Sequence, residues 1–204
     1  MVIDPITLGK AIAQRADALD RHAEDILYPI ILGCYGNEES ENDLHALKQS
    51  CHNSGFTNAI LLKDIPDPQQ PQTIDYNIKF KLLIKEYKED PTKRRIICPI
   101  IYIHDAINKG KGKGLISEFF DVITYFPELR EFTVVLKHTT IDFIEQLNYV
   151  HPQNVYHIIS LKEGMGYLVP HLKGHMGFLK QTLWQTESLK RKNTHNTTNE
   201  VTSC

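Results

Sequence analysis

The sequence has few cysteines and no long apolar run. Its four cysteines among 204 residues form no CxxC pair, so neither a zinc site nor a disulfide framework is expected. Reduced cysteines are typical of the cytoplasm, and we predict that compartment. No apolar stretch reaches the roughly 18 residues that span a membrane. The amino-terminal segment contains acids and has no apolar centre, unlike a signal peptide. We therefore expect no membrane partner.

The sequence also has little net charge and lacks the common phosphate-binding motifs. Lys+Arg number 23 and Asp+Glu number 25, which gives a net charge of −2. A protein that coats DNA without sequence preference is basic, so that function is not expected. Neither GxGxxG nor GxxxxGK[ST] occurs, which excludes a dinucleotide cradle and a P-loop. No metal is expected, and no cofactor is expected to be required.

The sequence does contain an alternation of short apolar strands and amphipathic helices. The strands are predicted over residues 26–33, 58–62, 95–104, 132–136 and 155–160. The helices are predicted over residues 6–25, from the cap Asn37 to Gly55, and over 73–87, 115–126, 139–149 and 166–189. Such an alternation is typical of an α/β fold with a parallel sheet.

We predict one Rossmann-like domain over residues 1–189, with the helix over 6–25 leading into it. Its expected architecture is a three-layer sandwich with a five-stranded, mostly parallel, flavodoxin-like sheet of order 2-1-3-4-5. The tail over 190–204 has no apolar periodicity and is expected to be disordered. In this order strands 1 and 3 are neighbours whose chains leave to opposite sides, so a ligand is expected at their carboxyl ends.

The turn after strand 1 reads GCYGN over residues 33–37. Its glycines let the backbone approach a ligand closely, and Tyr35 can stack on a base or a nicotinamide ring. The next helix opens with the acids Glu38, Glu39, Glu41 and Asp43. Because acids repel a phosphate at a helix start, the turn is expected to contact a neutral ribose or base. A tight, well-capped turn without a ligand is the alternative.

The loop after strand 3 alternates lysine and glycine over residues 109–114, directly before a helix. Flexible amides, positive charge and the helix dipole together favour an anion site. A charged, glycine-rich loop is also typical of an active-site lid. A solvated loop without a ligand is the alternative.

Glu118 is predicted in the first turn of the helix that follows this loop, among apolar neighbours. A carboxylate there can stabilise an oxocarbenium ion or attack an anomeric carbon, which is the chemistry of N-glycosidic cleavage. Asp105 and Asp64 follow strands 3 and 2 and supply further carboxylates at the same edge. The alternative for Glu118 is ordinary placement of an acid near a helix start.

These features carry a resemblance to a known group of proteins. The glycine-containing turn, the third strand, the acid after it and the Gly-x-Gly-x-x-x-Glu helix start resemble the nucleoside 2-deoxyribosyltransferase-like superfamily over roughly residues 26–137. That superfamily is related in fold to the Toll/interleukin-1 receptor (TIR) domains that cleave NAD. The resemblance implies that Glu118 is the catalytic carboxylate. The residues that it places around the ribose or base are Cys34, Tyr35 and Gly36.

The expected function is cleavage or transfer at the N-glycosidic bond of a nucleoside, a nucleotide or NAD, by a homodimer. A non-enzymatic nucleotide sensor and a TIR-type interaction module are the alternatives. The catalytic candidates are Glu118 and Asp105. The ligand-binding candidates are Cys34, Tyr35, Gly36, Asp64, His104, Lys111, Gly112, Lys113 and Gly114.

Overall fold

A computed structural model describes residues 5–65, 76–89, 95–104, 113–141, 147–148 and 150–200. The helices are α1 (Pro5–Ile26), α2 (Glu38–Asn53), α3 (Tyr76–Glu89), α4 (Lys113–Tyr125) and α5 (Leu161–Glu200). The strands are β1 (Leu27–Leu32), β2 (Ile60–Leu61), β3 (Ile96–Ile103), β4 (Val134–His138) and β5 (Val155–Ile158). Short 3₁₀ helices lie at Leu62–Asp64, Pro127–Leu129 and Pro152–Asn154. All five predicted strands are therefore present.

The strands form one parallel sheet in the order β2-β1-β3-β4-β5. This order confirms the predicted α/β fold. β3 is the central strand, and every residue in it after Ile96 is buried. Strands that are buried on both faces read as continuous apolar runs, which is why the segment over 95–104 is so apolar.

One face of the sheet packs against α3 and α4. Side chains from both helices join alternate strand residues in a single apolar cluster. Phe80 of α3 and Phe119 of α4 meet there edge to face, with their ring centroids 6.4 Å apart. Ile30 and Ile101 lie opposite them on β1 and β3. Since strand side chains alternate between faces, the intervening residues serve the other side.

The opposite face packs against α2 and the first part of α5. α2 buries Leu44 and Leu47. A Cβ atom at Gly33 would lie 2.7 Å from Leu44 Cδ2 of α2 and 3.2 Å from the Tyr102 carbonyl oxygen of β3, so a larger residue there would require the Leu44 side chain to shift. A Cβ atom at Gly164 of α5 would likewise lie 3.1 Å from Ile158 of β5. Helices thus cover both faces of the sheet.

Pro99 lies inside the central strand. This position is unusual, because proline has no amide hydrogen to donate to a ladder. It pairs with Ile30 of β1, whereas the ladder between β3 and β4 begins one residue later, at Ile100 and Val134. Before that ladder begins, the Cys98 thiol donates to the Phe132 carbonyl at 2.8 Å. The proline is therefore placed where the β4 ladder needs no amide from it.

α4 begins earlier than the sequence predicts. It starts at Lys113 rather than at residue 115, so Lys113 and Gly114 are helical and not part of the loop. Glu118 is then the sixth residue of the helix and lies in its second turn, not in its first. Lysine is a good helix former but Gly114 is a poor one, so local propensity alone does not fix the first residue of this helix.

α5 is longer than the helix predicted over 166–189. It begins at Leu161 and continues to Glu200, so residues 190–200 belong to a helix where disorder was predicted. That segment contains neither proline nor glycine, and nothing in its sequence ends a helix. The helix predicted over 139–149 falls mostly outside the described residues.

The chain divides into two compact units. Leu27–His171 form one unit, which contains the whole sheet. Met1–Ile26 and Leu172–Cys204 form the other, which contains α1 and the later part of α5. The single domain predicted over 1–189 stays a prediction. None of the described helices is long and apolar enough to cross a bilayer.

Candidate functional site

Three segments of the sheet unit follow the carboxyl ends of neighbouring strands. β1 is followed by the turn over 33–37, β2 by the 3₁₀ helix Leu62–Asp64, and β3 by His104. β1 lies between β2 and β3, so the strand order reverses at this edge. Open α/β sheets bind their ligands at such a reversal, which makes this edge the candidate site.

The turn after β1 is closed by hydrogen bonds to its own helix. Gly36 has φ +98°, which glycine adopts without strain, and its amide donates to Glu41 Oε1 at 2.7 Å. The Asn37 side chain accepts from the Glu39 amide at 3.0 Å, which confirms Asn37 as the cap of α2. The Gly36 amide is thus already engaged by a carboxylate.

An ion pair joins this turn to the segment after β2. Lys63 Nζ lies 2.6 Å from Glu41 Oε2, and neither side chain is fully exposed. The hydrogen bond from Lys63, together with the one from the Gly36 amide, holds the pKa of Glu41 below its ordinary value. The Glu41 carboxylate therefore links the turn after β1 to the segment after β2 at the candidate site.

We expect the variant Lys63→Met to be less stable at neutral pH by under about 1 kcal/mol, the usual worth of a partly exposed ion pair. Because the folded-state pKa of Glu41 is lowered, this stabilisation exists above the unfolded-state pKa and is lost as pH falls through the folded-state value. Urea unfolding of both proteins across the acid range should show the difference narrowing as pH falls.

The control for this prediction is Lys85→Met, which removes a more exposed pair in which Lys85 Nζ is 3.7 Å from Glu89 Oε1. It should leave the pH dependence of stability close to that of the wild type. A Lys63→Met difference of constant size from neutral to acid pH would contradict the assignment to Glu41.

Tyr35 lies against the core and not in open solvent. Its hydroxyl donates to the Ile31 carbonyl at 2.8 Å, and its ring centroid is 4.9 Å from that of Tyr76. Burial raises the pKa of Tyr35 above its ordinary value, so the phenol stays a neutral donor. Tyr76 lies at the ring where a ligand base was expected to stack, and base stacking on Tyr35 stays a prediction.

Asp64 has a partner of its own. Lys48 Nζ of α2 lies 2.7 Å from Asp64 Oδ2, and both side chains are partly exposed. Asp64 follows β2, as the sequence predicts, but its negative charge is balanced by this lysine. A ligand that used the carboxylate would have to compete with Lys48.

The end of β3 holds a cluster of three polar side chains. The Tyr102 hydroxyl donates to Asp43 Oδ2 at 2.5 Å. His104 Nε2 lies 3.7 Å from the same oxygen, beyond hydrogen-bond distance, and His104 is only 8% exposed. Asp43 is about one quarter exposed and can therefore be reached from solvent. A carboxylate, a phenol and an imidazole thus converge at the strand reversal.

Asp43 is the residue of this cluster whose role the sequence does not reveal. His104 directly follows β3, two positions after Tyr102, so the strand period predicts that both lie on one face. The acids at the start of α2 indicate only that this helix start would repel a phosphate, and they do not single out Asp43. Which of them meets β3 depends on how α2 lies on the sheet.

Cys34 is buried, and Cys51 and Cys98 are buried with it as free thiols. Burial raises the pKa of Cys51 to about 12 and that of Cys98 further still, so neither is a thiolate near neutral pH. Cys51 and Cys98 are therefore packed in the core as neutral thiols. Contact between Cys34 and a ligand stays a prediction.

The remaining candidates are placed only in part. Asp105, Lys111 and Gly112 lie outside the described residues. Gly114 lies in the first turn of α4. For Glu118 and Lys113 the structure gives the backbone position in α4, but their side chains lie outside the description. The described residues bring together Tyr35, Gly36, Asp64 and His104 at one sheet edge.

Among the residues that the structure describes, no group of three or more metal-ligating side chains is found. Comparisons with protein-family models, with curated proteins and with solved structures find no match for this chain.

Proposed function

We propose that the sheet unit binds a nucleoside or a nucleotide, NAD included, at the carboxyl ends of β1 and β3 and cleaves or transfers at its N-glycosidic bond. The observation that carries this proposal is the cluster of Asp43, Tyr102 and His104 at the reversal of strand order. Polar groups that are mostly buried and converge at such a point are typical of a ligand site.

In the proposed reaction the bond between the anomeric carbon and the base nitrogen breaks, and the base leaves with the electron pair. Positive charge then develops on the sugar ring, and the Glu118 carboxylate either stabilises it or bonds to the anomeric carbon. In hydrolysis the oxygen of a water molecule then bonds to the anomeric carbon and gives up a proton, and in transfer the nitrogen of a second base does so; any bond to Glu118 breaks in that step. Asp105 is the proposed partner acid, and Lys111 and Lys113 are proposed to hold a substrate phosphate.

A specific observation favours a second function, that of a non-enzymatic nucleotide sensor. Two carboxylates at this edge are neutralised by lysines, Glu41 by Lys63 and Asp64 by Lys48. Paired carboxylates can position a ribose but are poor bases. In either function we propose a homodimer, and we propose a cytoplasmic location because the described cysteines are free thiols.

The test is incubation of the purified chain with NAD, NADP and a panel of nucleosides, with products separated by chromatography. We expect release of nicotinamide or of a free base. Thermal unfolding with each compound measures binding separately, since a ligand of the folded state raises its melting temperature. Thermal stabilisation without release of a base would favour the sensor. If neither stabilisation nor release occurs, the interaction module is the function that remains.

A further inference from the structure

A groove of about 750 Å³ lies between α3 and the carboxyl-terminal end of α4, and none of its lining residues is one of the candidate-site residues. Its walls are formed by Ile78, Lys81, Leu82, Lys85, Lys88, Glu89, Tyr125 and Phe126. On α3 these residues recur every three to four positions and form one stripe. The opposite side of α3 packs into the core through Phe80 and Ile84, so this helix is apolar on two sides.

Large apolar side chains are exposed in this groove. Tyr125 is 74% exposed, Ile78 56% and Leu82 41%. Isolated apolar residues on a surface need no explanation, but three at one groove form a patch of the kind that marks an interaction site. Phe126 extends the patch inward, where it is half buried against the core.

Lysines border the apolar patch. Lys81, Lys85 and Lys88 outnumber the one acid among the lining residues, Glu89. Lys85 pairs with Glu89 across 3.7 Å with both side chains exposed, and Lys88 pairs with Glu128. Exposed pairs of this kind are worth under about 1 kcal/mol, so these lysines can exchange partners at little cost.

We propose that this groove binds an acidic amphipathic helix of a partner protein. The apolar floor fits the apolar face of such a helix, and the lysines fit glutamates and aspartates along its flanks. A second copy of the chain is disfavoured, because two of these grooves face to face would bring lysines together. A lipid surface is disfavoured because a concave groove gives a flat bilayer little contact.

The probe is a fluorescein-labelled helical peptide with one leucine- and phenylalanine-bearing apolar face, made in three forms. The polar positions carry glutamate in the first form, glutamine in the second and lysine in the third. Fluorescence anisotropy with the full chain measures affinity. We expect the glutamate form to bind at least about 10-fold more tightly than the glutamine form and the lysine form to bind least, which is a difference of about 1.4 kcal/mol per tenfold step.

Variants then locate the binding. Leu82→Ser combined with Tyr125→Ser should weaken binding of the glutamate peptide at least about 10-fold. Lys85→Glu should weaken the glutamate peptide and strengthen the lysine peptide. Ile159→Ser removes an exposed apolar side chain elsewhere in the same unit, at 73% exposure, and should change neither.

Equal affinity of the three peptides, or equal loss with Ile159→Ser, would overturn the proposal. Two further measurements would overturn the proposal if they showed that the groove binds something other than a partner helix. One is sedimentation with vesicles of phosphatidylserine and phosphatidylcholine, where loss of binding in the double variant would identify a membrane surface. The other is sedimentation velocity, where loss of a dimer in that variant would identify a second copy.

Discussion

Replacement of Glu118 by glutamine is expected to slow base release by at least about 100-fold, or about 2.7 kcal/mol of transition-state stabilisation. Glutamine keeps the shape of the side chain but removes the negative charge. Binding of the ground-state ligand should barely change, whereas the positive charge that develops in the transition state loses its counter-charge. The change should therefore lower kcat and leave the ligand-induced thermal shift in place.

The matched control is Asp121→Asn, which removes an exposed carboxylate from the same helix one turn further on. It should retain the wild-type rate, because Asp121 points to solvent. Chromatographic assay of both variants at saturating substrate gives the comparison. Unchanged turnover in Glu118→Gln would remove this residue from the mechanism, even if the chain proves to be an enzyme.

Replacement of Phe119 by alanine is expected to destabilise the sheet unit by about 3–5 kcal/mol, as phenylalanine-to-alanine changes in well-packed cores do. Phe119 is fully buried, and its ring meets Phe80 edge to face. The loss combines the transfer free energy of the ring with the cavity it leaves, and removes the aromatic pair between α3 and α4. Urea unfolding followed by circular dichroism measures it.

Tyr125→Ala on the same helix is the control, since its side chain is 74% exposed. Its effect should stay within about 0.5 kcal/mol, as for surface substitutions in general. An equally small effect of Phe119→Ala would mean that this residue does not anchor α4. It would then not fix the position of Glu118, one residue before it, either.

The strands and helices of the fold were predictable because their determinants are local. The apolar run over 95–104 indicated a buried central strand, and Asn37 before a row of acids indicated the start of α2. The helix ends were less predictable. No local signal distinguishes Lys113 in a loop from Lys113 in the first turn of α4. The same applies to residues 190–200, whose polar composition is compatible with either a tail or a helix.

The candidate site was predictable only as an edge of the sheet. Strand order placed the segments after β1, β2 and β3 together, and the structure confirms that order. The contacts at that edge were not predictable. Tyr102 and Asp43 are 59 positions apart, and Lys63 and Glu41 are 22 apart. Such pairs depend on where α2 lies across the sheet, and the periodicity of apolar residues does not predict that position.

The hydrogen bond between Gly36 and Glu41 bears on the orientation of any ligand. The turn after β1 has an anion of its own, tethered five residues away, at an effective concentration that a free phosphate in solution does not match. An external anion at this turn would have to displace Glu41 and leave Lys63 without its carboxylate. A bound nucleotide is therefore expected to present an uncharged portion to β1 and to direct its phosphates toward the β3 side of the sheet.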